Sequence, residues 1–344
     1  MVLTPNLCGR DGISRLARLI AGTFDEALVL ALHEPPSVTR LGGARVRGAG
    51  GQSWRFIAEA CRGALSADRR TSVIVTHVHL APAALAFAAR GASLTTILCG
   101  VEAWRPVTRW QQTALDRASR LIAISRFTRT GFLDANPRFA NRTVDVCHLG
   151  VEDLPSAAPQ TALPPAALIV GRMAADERYK GHDPLIEIWR DVLAAVPGAT
   201  LRIVGDGDDR QRLAAKAASL GLGDSVAFLG GLDEDALRRE YAHCTAFVMP
   251  SRDEGFGFVF VEAMRAARAC VGSRGAAAEI IEDGDTGVLV EPDDRAQLLQ
   301  SVVRVLRDRQ ASRTMGERGR ARFLEQFTEA RFRERFTALL PVAS

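Results

Sequence analysis

Lysine is nearly missing from this chain: of 44 cationic side chains only Lys180 and Lys216 are lysines, the rest being arginines. The six cysteines (Cys8, Cys61, Cys99, Cys147, Cys244, Cys270) are widely scattered with no C-x-x-C pair, which excludes a zinc or dithiol-redox motif and predicts reduced, mostly buried thiols. Nowhere do roughly 18 apolar residues run together, as a spanning helix needs, and no basic segment followed by an apolar stretch opens the chain. The expectation is a cytoplasmic protein, neither secreted nor transmembrane. No repeat of about 20–50 residues argues for a solenoid. No basic block is interleaved with aromatics, so nucleic acid is not an expected partner.

What is present is globular: 344 residues, 47% hydrophobic and 24% charged. That length exceeds the roughly 100–200 residues one core organises, so two domains are expected. Residues 1–165 hold 19 arginines against 12 carboxylates, while the remainder is mildly acidic. Two readings of the basic half stand side by side: ordinary solvated arginine, or Coulomb attraction of a phosphorylated or lipid-linked molecule or an anionic membrane surface.

Short β-branched runs at 27–32, 72–76, 95–98, 120–124 and 143–148 alternate with longer amphipathic or alanine-rich stretches, the pattern of a parallel sheet covered by helices. Residues 155–165, with four prolines and no charge, read as a linker. The pattern restarts at 167–170, 200–204, 226–229, 246–249, 270–272 and 287–290. The expected fold is α/β: two Rossmann-like domains facing across a cleft, an N-terminal one (1–160) and a C-terminal one (161–327). A helical segment, 313–340, should cross back, adding about 328–344 to the first domain.

The most informative stretch is Pro250-Ser251-Arg252-Asp253-Glu254-Gly255-Phe256-Gly257, with Glu262 eight positions after Glu254. It follows a buried strand and precedes an apolar helix expected from about Gly257. Glycines let backbone approach a ligand, and a helix N-terminus offers N–H groups to a diphosphate. Gly171-Arg172-Met173 and Lys180-Gly181-His182-Asp183 supply cations, and Gly205-Asp206-Gly207 reads as a tight turn. Arg210 stands where a dinucleotide fingerprint needs its third glycine. As an Asp-x-Asp metal motif, Asp206 and Asp208 would belong to a different architecture, one that does not place it midway through a second Rossmann domain, so they are read as part of the turn and no metal is called for.

These segments resemble the family-4 retaining glycosyltransferases of the GT-B type, whose signature is two glutamates spaced as Glu254 and Glu262 around Gly-Phe-Gly. The resemblance implies that Glu254 binds donor-sugar hydroxyls near the reaction centre and Glu262 the ribose. It implies that Arg172 and Lys180 hold the diphosphate, and that Gly171, Gly205, Gly255, Phe256 and Gly257 line the donor. In the N-terminal half, Gly9 and Gly12 sit in a loop similar to the family's glycine loop over the phosphates, with Ser14 an ordinary N-cap on the alternative reading. Cys99-Gly100-Val101-Glu102-Ala103-Trp104 resembles a His-Gly-x-Glu-x-Trp segment, with Cys99 in place of the histidine.

That replacement leaves His79, in Thr76-His77-Val78-His79, as the imidazole expected in the site. His77, Cys99, Glu102, Ser125 and Glu279 are further candidates for acceptor or sugar contacts, and capping is the other reading of Ser125. The implied activity is transfer of a hexose from a nucleoside-diphosphate sugar, of the GDP-mannose or UDP-glucose type, to a glycan or lipid-linked acceptor in cell-surface polysaccharide or glycolipid synthesis. No cofactor is implied. Competing readings are a nucleotide-sugar epimerase of the same architecture, a dinucleotide-dependent oxidoreductase and a catalytically silent binding module.

Overall fold

The computed structural model describes residues 1–9, 11–41, 43–154 and 164–341. The chain divides into two compact units. Unit 1 runs from Met1 to Gly150 and also takes the segment from Glu329 onward; unit 2 is Val151–Thr328. Most of the proline-rich stretch, residues 155–163, lies outside the described residues.

Unit 1 holds eight described strands: β1 (Val2–Thr4), β2 (Leu28–Ala31), β3 (Arg40–Leu41), β4 (Ala44–Gly48), β5 (Ser72–Val75), β6 (Ser93–Leu98), β7 (Arg120–Ala123) and β8 (Val144–Val146). Their order is β3-β4-β2-β1-β5-β6-β7-β8, and only β3 and β4 pair antiparallel. The central strands are almost wholly buried because helices cover both faces of a parallel sheet, which is why they read as continuous apolar runs. The β3–β4 hairpin escapes that reading: β4 alternates buried Ala44 and Val46 with exposed Arg45 and Arg47, a charged edge rather than an apolar run.

Unit 2 holds β9 (Ala166–Val170), β10 (Thr200–Val204), β11 (Val226–Gly230), β12 (Ala246–Met249), β13 (Ala269–Ser273) and β14 (Gly287–Val290) in the order β11-β10-β9-β12-β13-β14, all parallel. Counted within the unit, this is 3-2-1-4-5-6, the doubly wound order of nucleotide-binding sheets. The order reverses between β9 and β12, so the loops leaving those two strands diverge and open a crevice at their carboxyl ends. Unit 1 reverses in the same way between β1 and β5. The core of unit 2 is anchored by Phe247 on β12, whose ring meets Phe260 edge-on at 5.2 Å and Tyr241 at 5.8 Å.

Three expectations need correction. The C-terminal helical segment is two helices, Arg309–Gln326 in unit 2 and Glu329–Leu339 in unit 1, separated at Phe327 and Thr328. The first helix, Gly12–Ala21, is capped by Asp11 and not by Ser14: the Asp11 carboxylate accepts from Ile13 N at 3.0 Å and Ser14 N at 2.9 Å. All six cysteines are free, but only Cys147, Cys244 and Cys270 are buried; Cys8 and Cys61 are exposed.

Candidate functional site

Unit 2 brings Gly171, Lys180 and Glu254 together at the β9/β12 reversal. Gly171 directly follows β9, and a Cβ placed there would lie 3.3 Å from Lys180 Cδ, so the lysine stem crosses over that glycine. Gly181 takes φ +90, and a Cβ on it would meet the Pro250 ring and carbonyl at 2.8 Å. Only glycine lets the Lys180 segment lie this close to the loop leaving β12. Arg252 N donates to Tyr179 O at 3.0 Å and ties the same two loops. Lys180 Nζ then stands 3.7 Å from Glu254 Oε2, an attraction without a hydrogen bond.

The turn at Gly205–Gly207 sets the β9 loop from below. Gly205 has φ +131, and a Cβ on it would fall 2.0 Å from Gly171 O; at Gly207 the clash is with Met173 O at 2.1 Å. Met173 N donates to Asp206 O and Asp209 N to Met173 O, both at 2.9 Å. Gly205 therefore positions Gly171 by backbone contact. The Asp206 and Asp208 carboxylates accept from Gly207 N and Ala175 N, each at 2.9 Å, which makes them part of this turn.

Other donor-site candidates are placed differently. Arg172 is largely exposed and pairs with Glu177 in its own loop. Phe256 is 2% exposed and packs against Phe258 and Phe327, so its side chain is a core anchor. Gly257, at φ +100, is the N-cap of the helix Phe258–Arg265 and gives it no side-chain cap. Gly255 lies in the loop just before it. Glu262, inside that helix, is 6% exposed and accepts from the Tyr241 hydroxyl at 2.8 Å. Glu279 sits on the short helix Ala277–Ile280, in unit 2, and its carbonyl accepts from Arg322.

Sequence reasoning missed three neighbours of this site. His182 is 3% exposed, and burial followed by the charge of Lys180 lowers its pKa to about 4, against smaller opposing effects of Asp183 and Asp209. Its Nε2 has no hydrogen-bond partner and lies 3.9 Å from the Cβ position of Gly171. Ser251 Oγ is likewise buried without a partner. Burial and the carboxylates of Glu177 and Glu254 push the Tyr179 phenol upward, keeping it protonated. His182 and Ser251 stand inside the Lys-Gly-His-Asp and Pro-Ser segments but were not singled out there, and Tyr179 directly precedes Lys180.

In unit 1 the β1/β5 reversal gathers a second group. The loop after β1 is held by Glu34, whose Oε1 accepts from Leu7 N at 2.7 Å and Cys8 N at 2.6 Å. A Cβ on Gly9 would lie 2.4 Å from Asp11 Oδ2, so a side chain there would displace the capping carboxylate. Gly12, exposed, opens the helix, and the Asp11 carboxylate already occupies that helix N-terminus, where the glycine loop was expected to meet phosphate. Arg10 lies outside the described residues.

After β5, His77 Nδ1 accepts from His79 N at 3.3 Å, and the two rings meet edge-on at 4.8 Å. Burial, then the neighbouring His79, lowers the His77 pKa to about 4, so His77 is neutral near pH 7 while His79 is exposed. The Cys99 thiol donates to Thr76 O at 3.0 Å, and Cys99 N donates to Glu102 Oε1 at 2.9 Å. Burial raises the Cys99 thiol far above its usual value and raises Glu102 as well, the latter against its hydrogen bonds and the attraction of His79. His77, His79, Cys99 and Glu102 thus form one cluster at the carboxyl ends of β5 and β6. Ser125 is not part of it: the residue is wholly buried, and its Oγ accepts from Thr128 N at 2.9 Å as the N-cap of Arg126–Ala135.

Residues 164–308, most of unit 2, match the family model Glycosyl transferases group 1. The GDP-mannose-dependent alpha-(1-6)-phosphatidylinositol monomannoside mannosyltransferase of Mycobacterium tuberculosis is 35% identical over 118 residues, 32% of this chain and 31% of that protein. The chain thus spans about a third of the length of this curated relative. Anabaena Alr3699/HepE, solved in complex with UDP and glucose, superposes with a TM-score of 0.82 at 22% identity over 98% of both chains. Sucrose-phosphate synthase from Thermosynechococcus elongatus does so with 0.79 at 19% identity over 98% of this chain and 97% of that one. The fold is that of the GT-B glycosyltransferases, two parallel-sheet Rossmann-like domains. Among the described residues no helix is long and apolar enough to cross a membrane.

Proposed function

We propose that the protein is a retaining hexosyltransferase that uses a nucleoside-diphosphate sugar, GDP-mannose or UDP-glucose in type, and passes the hexose to a glycan or lipid-linked acceptor at the inner face of a membrane. The carrying observation is the Lys180–Glu254 pair over Gly171 at the β9/β12 reversal, 3.7 Å apart and not hydrogen-bonded. A pyrophosphate entering there takes the ammonium, and sugar hydroxyls take the carboxylate, so one ligand satisfies both. The mannosyltransferase, by its GDP-mannose dependence, and Anabaena Alr3699/HepE, by its bound UDP and glucose, support the two donor types. The mannosyltransferase's phosphatidylinositol-linked acceptor supports the lipid-linked option.

In this reading the acceptor oxygen attacks the anomeric carbon on the face from which the phosphate departs, and a phosphate oxygen takes the acceptor proton. Charge growing on the leaving group is met by Lys180, with Arg172 free to swing from Glu177. His79, the exposed imidazole of the unit 1 cluster, contacts the sugar or acceptor. No resident cofactor or metal is invoked. Incubation with UDP-glucose or GDP-mannose and a lipid-linked acceptor extract should yield glycoside with the anomeric configuration kept and unaffected by a chelator. Glu254→Gln should lose about a hundredfold or more of that turnover, on the scale of one lost transition-state contact. Isotope exchange at the sugar carbons without glycoside would instead identify an epimerase.

A further inference from the structure

The helix Ser53–Leu65 in unit 1 carries two neighbouring apolar faces, one turned inward and one outward, which at about 100° per residue together cover roughly 200° of its circumference. Phe56, Ala60 and Ala64 are buried toward the sheet. On the outer side Trp54 is 66% exposed, Ile57 52% and Leu65 75%, and the small residues Ala58 and Cys61 between them are exposed as well. At about 100° per residue these five side chains fall in a stripe roughly 100° wide, as broad as a face that normally seeks a core. Large apolar residues on a protein surface are ordinarily scattered singly; a row of them marks a face that something covers.

The charge around the stripe selects what covers it. Arg55 and Arg62 lie on one flank of the helix, and Glu59 pairs both with Arg62 and, at 3.2 Å, with Arg47 of β4, so one carboxylate is shared by two of the three guanidiniums. A groove of about 600 Å³ lies between β4 and the helix, and its lining includes Arg47, Arg55 and Arg62 with a single carboxylate, Glu59. Trp54 and Ala58, from the apolar stripe, line the same groove. The β3–β4 hairpin beside it sets Arg40 opposite Arg45. A second copy of this chain would bring the same excess of arginine and be repelled. An anionic phospholipid surface offers hydrocarbon to the stripe and phosphate to the guanidiniums at one boundary.

We infer that this face, the helix Ser53–Leu65 with the β4 edge, docks on an anionic phospholipid bilayer: Trp54, Ile57 and Leu65 enter the interface, and Arg47, Arg55 and Arg62 hold lipid phosphates. The inference sharpens the expectation of a basic N-terminal half into one surface, and it stands apart from the donor site, since lipid binding needs no sugar nucleotide.

The test is flotation of the full chain with vesicles of phosphatidylcholine, with and without phosphatidylglycerol. The expected result is flotation with the anionic vesicles only, weakened severalfold by high salt. Trp54→Ser/Ile57→Ser/Leu65→Ser should reduce binding tenfold or more. Arg55→Glu/Arg62→Glu should do the same, each surface arginine being worth about fivefold on such a membrane. All five positions are solvent-exposed, so circular dichroism melts should stay close to wild type, and if one variant unfolds the other still decides. Absence of flotation, equal flotation on neutral vesicles, or wild-type binding by both variants would overturn the inference. So would a dimer in sedimentation that the triple variant dissolves, because the stripe would then belong to a second copy.

Discussion

Lys180 and Glu254 have side chains 17% and 23% exposed. A pair so placed adds about 0–1 kcal/mol to folding, so its loss should register in ligand binding and not in stability. Lys180→Ala is expected to raise the dissociation constant of free UDP or GDP about tenfold or more, the scale of one hydrogen bond to a charged group, with little change in melting temperature. Calorimetry showing unaltered nucleotide binding would remove Lys180 from the phosphate site. His182 gives a pH signature of the same neighbourhood. Its folded pKa of about 4 lies below the ordinary 6.5, so the unfolded chain binds a proton first as pH falls. Its contribution is therefore complete above pH 6.5 and is lost progressively toward pH 4, about 3 kcal/mol in all at 1.36 kcal/mol per unit. Urea midpoints at pH 7 and pH 4.5 should fall further apart in wild type than in His182→Gln; equal differences would contradict the buried neutral imidazole. Lys180 and Glu254 were readable because each stands in a short word of glycine and charge. His182 Nε2, Tyr179 and Tyr241 were not, since what matters about them is burial and partners, which spacing does not encode.

At the level of elements, apolar runs marked the buried strands because a sheet covered on both faces asks for continuous hydrophobicity. The β3–β4 hairpin was hidden by its arginines, and the break between Arg309–Gln326 and Glu329–Leu339 by having neither glycine nor proline in it. Asp11 and Ser14 are both good caps by residue type; backbone conformation alone decides, with Asp11 extended at φ −75 and ψ 166 and Ser14 already inside the helix. The turn glycines carry a sharper consequence. Gly205→Ala must push a methyl into the Gly171 carbonyl at 2.0 Å while holding φ +131, so a loss of about 3 kcal/mol or more is expected from overlap and strain together. Gly198, at φ +79 with nothing within 4 Å of a Cβ, is the control and should lose only about 1–2 kcal/mol as alanine. Chemical denaturation of both variants checks this. If Gly205→Ala costs no more than Gly198→Ala, the turn does not set the β9 loop by backbone contact.

Across the whole molecule, the chain leaves unit 1 after Gly150, builds unit 2, and returns to unit 1 from Glu329. The return was legible as a helical segment with no strand after it, though not as a separate helix. Its hold on unit 1 is apolar: Phe332 and Phe336 are each 1% exposed, and their rings stack at 5.2 Å with 13° between planes. Arg335 adds a hydrogen bond to His148 O at 3.0 Å, just past β8. Burying a phenylalanine is worth about 1.5–3 kcal/mol, so the helix Glu329–Leu339 supplies unit 1 with several kcal/mol, a large part of a domain's ordinary margin. Ending the chain at Thr328 should therefore destabilise unit 1 selectively. Hydrogen exchange followed by mass spectrometry should find amides of β1, β2 and β5–β8 losing protection in the truncated chain, while β9–β14 keep theirs. Protection lost equally in both sheets, or in neither, would mean that the returning helix is not a structural part of the N-terminal sheet.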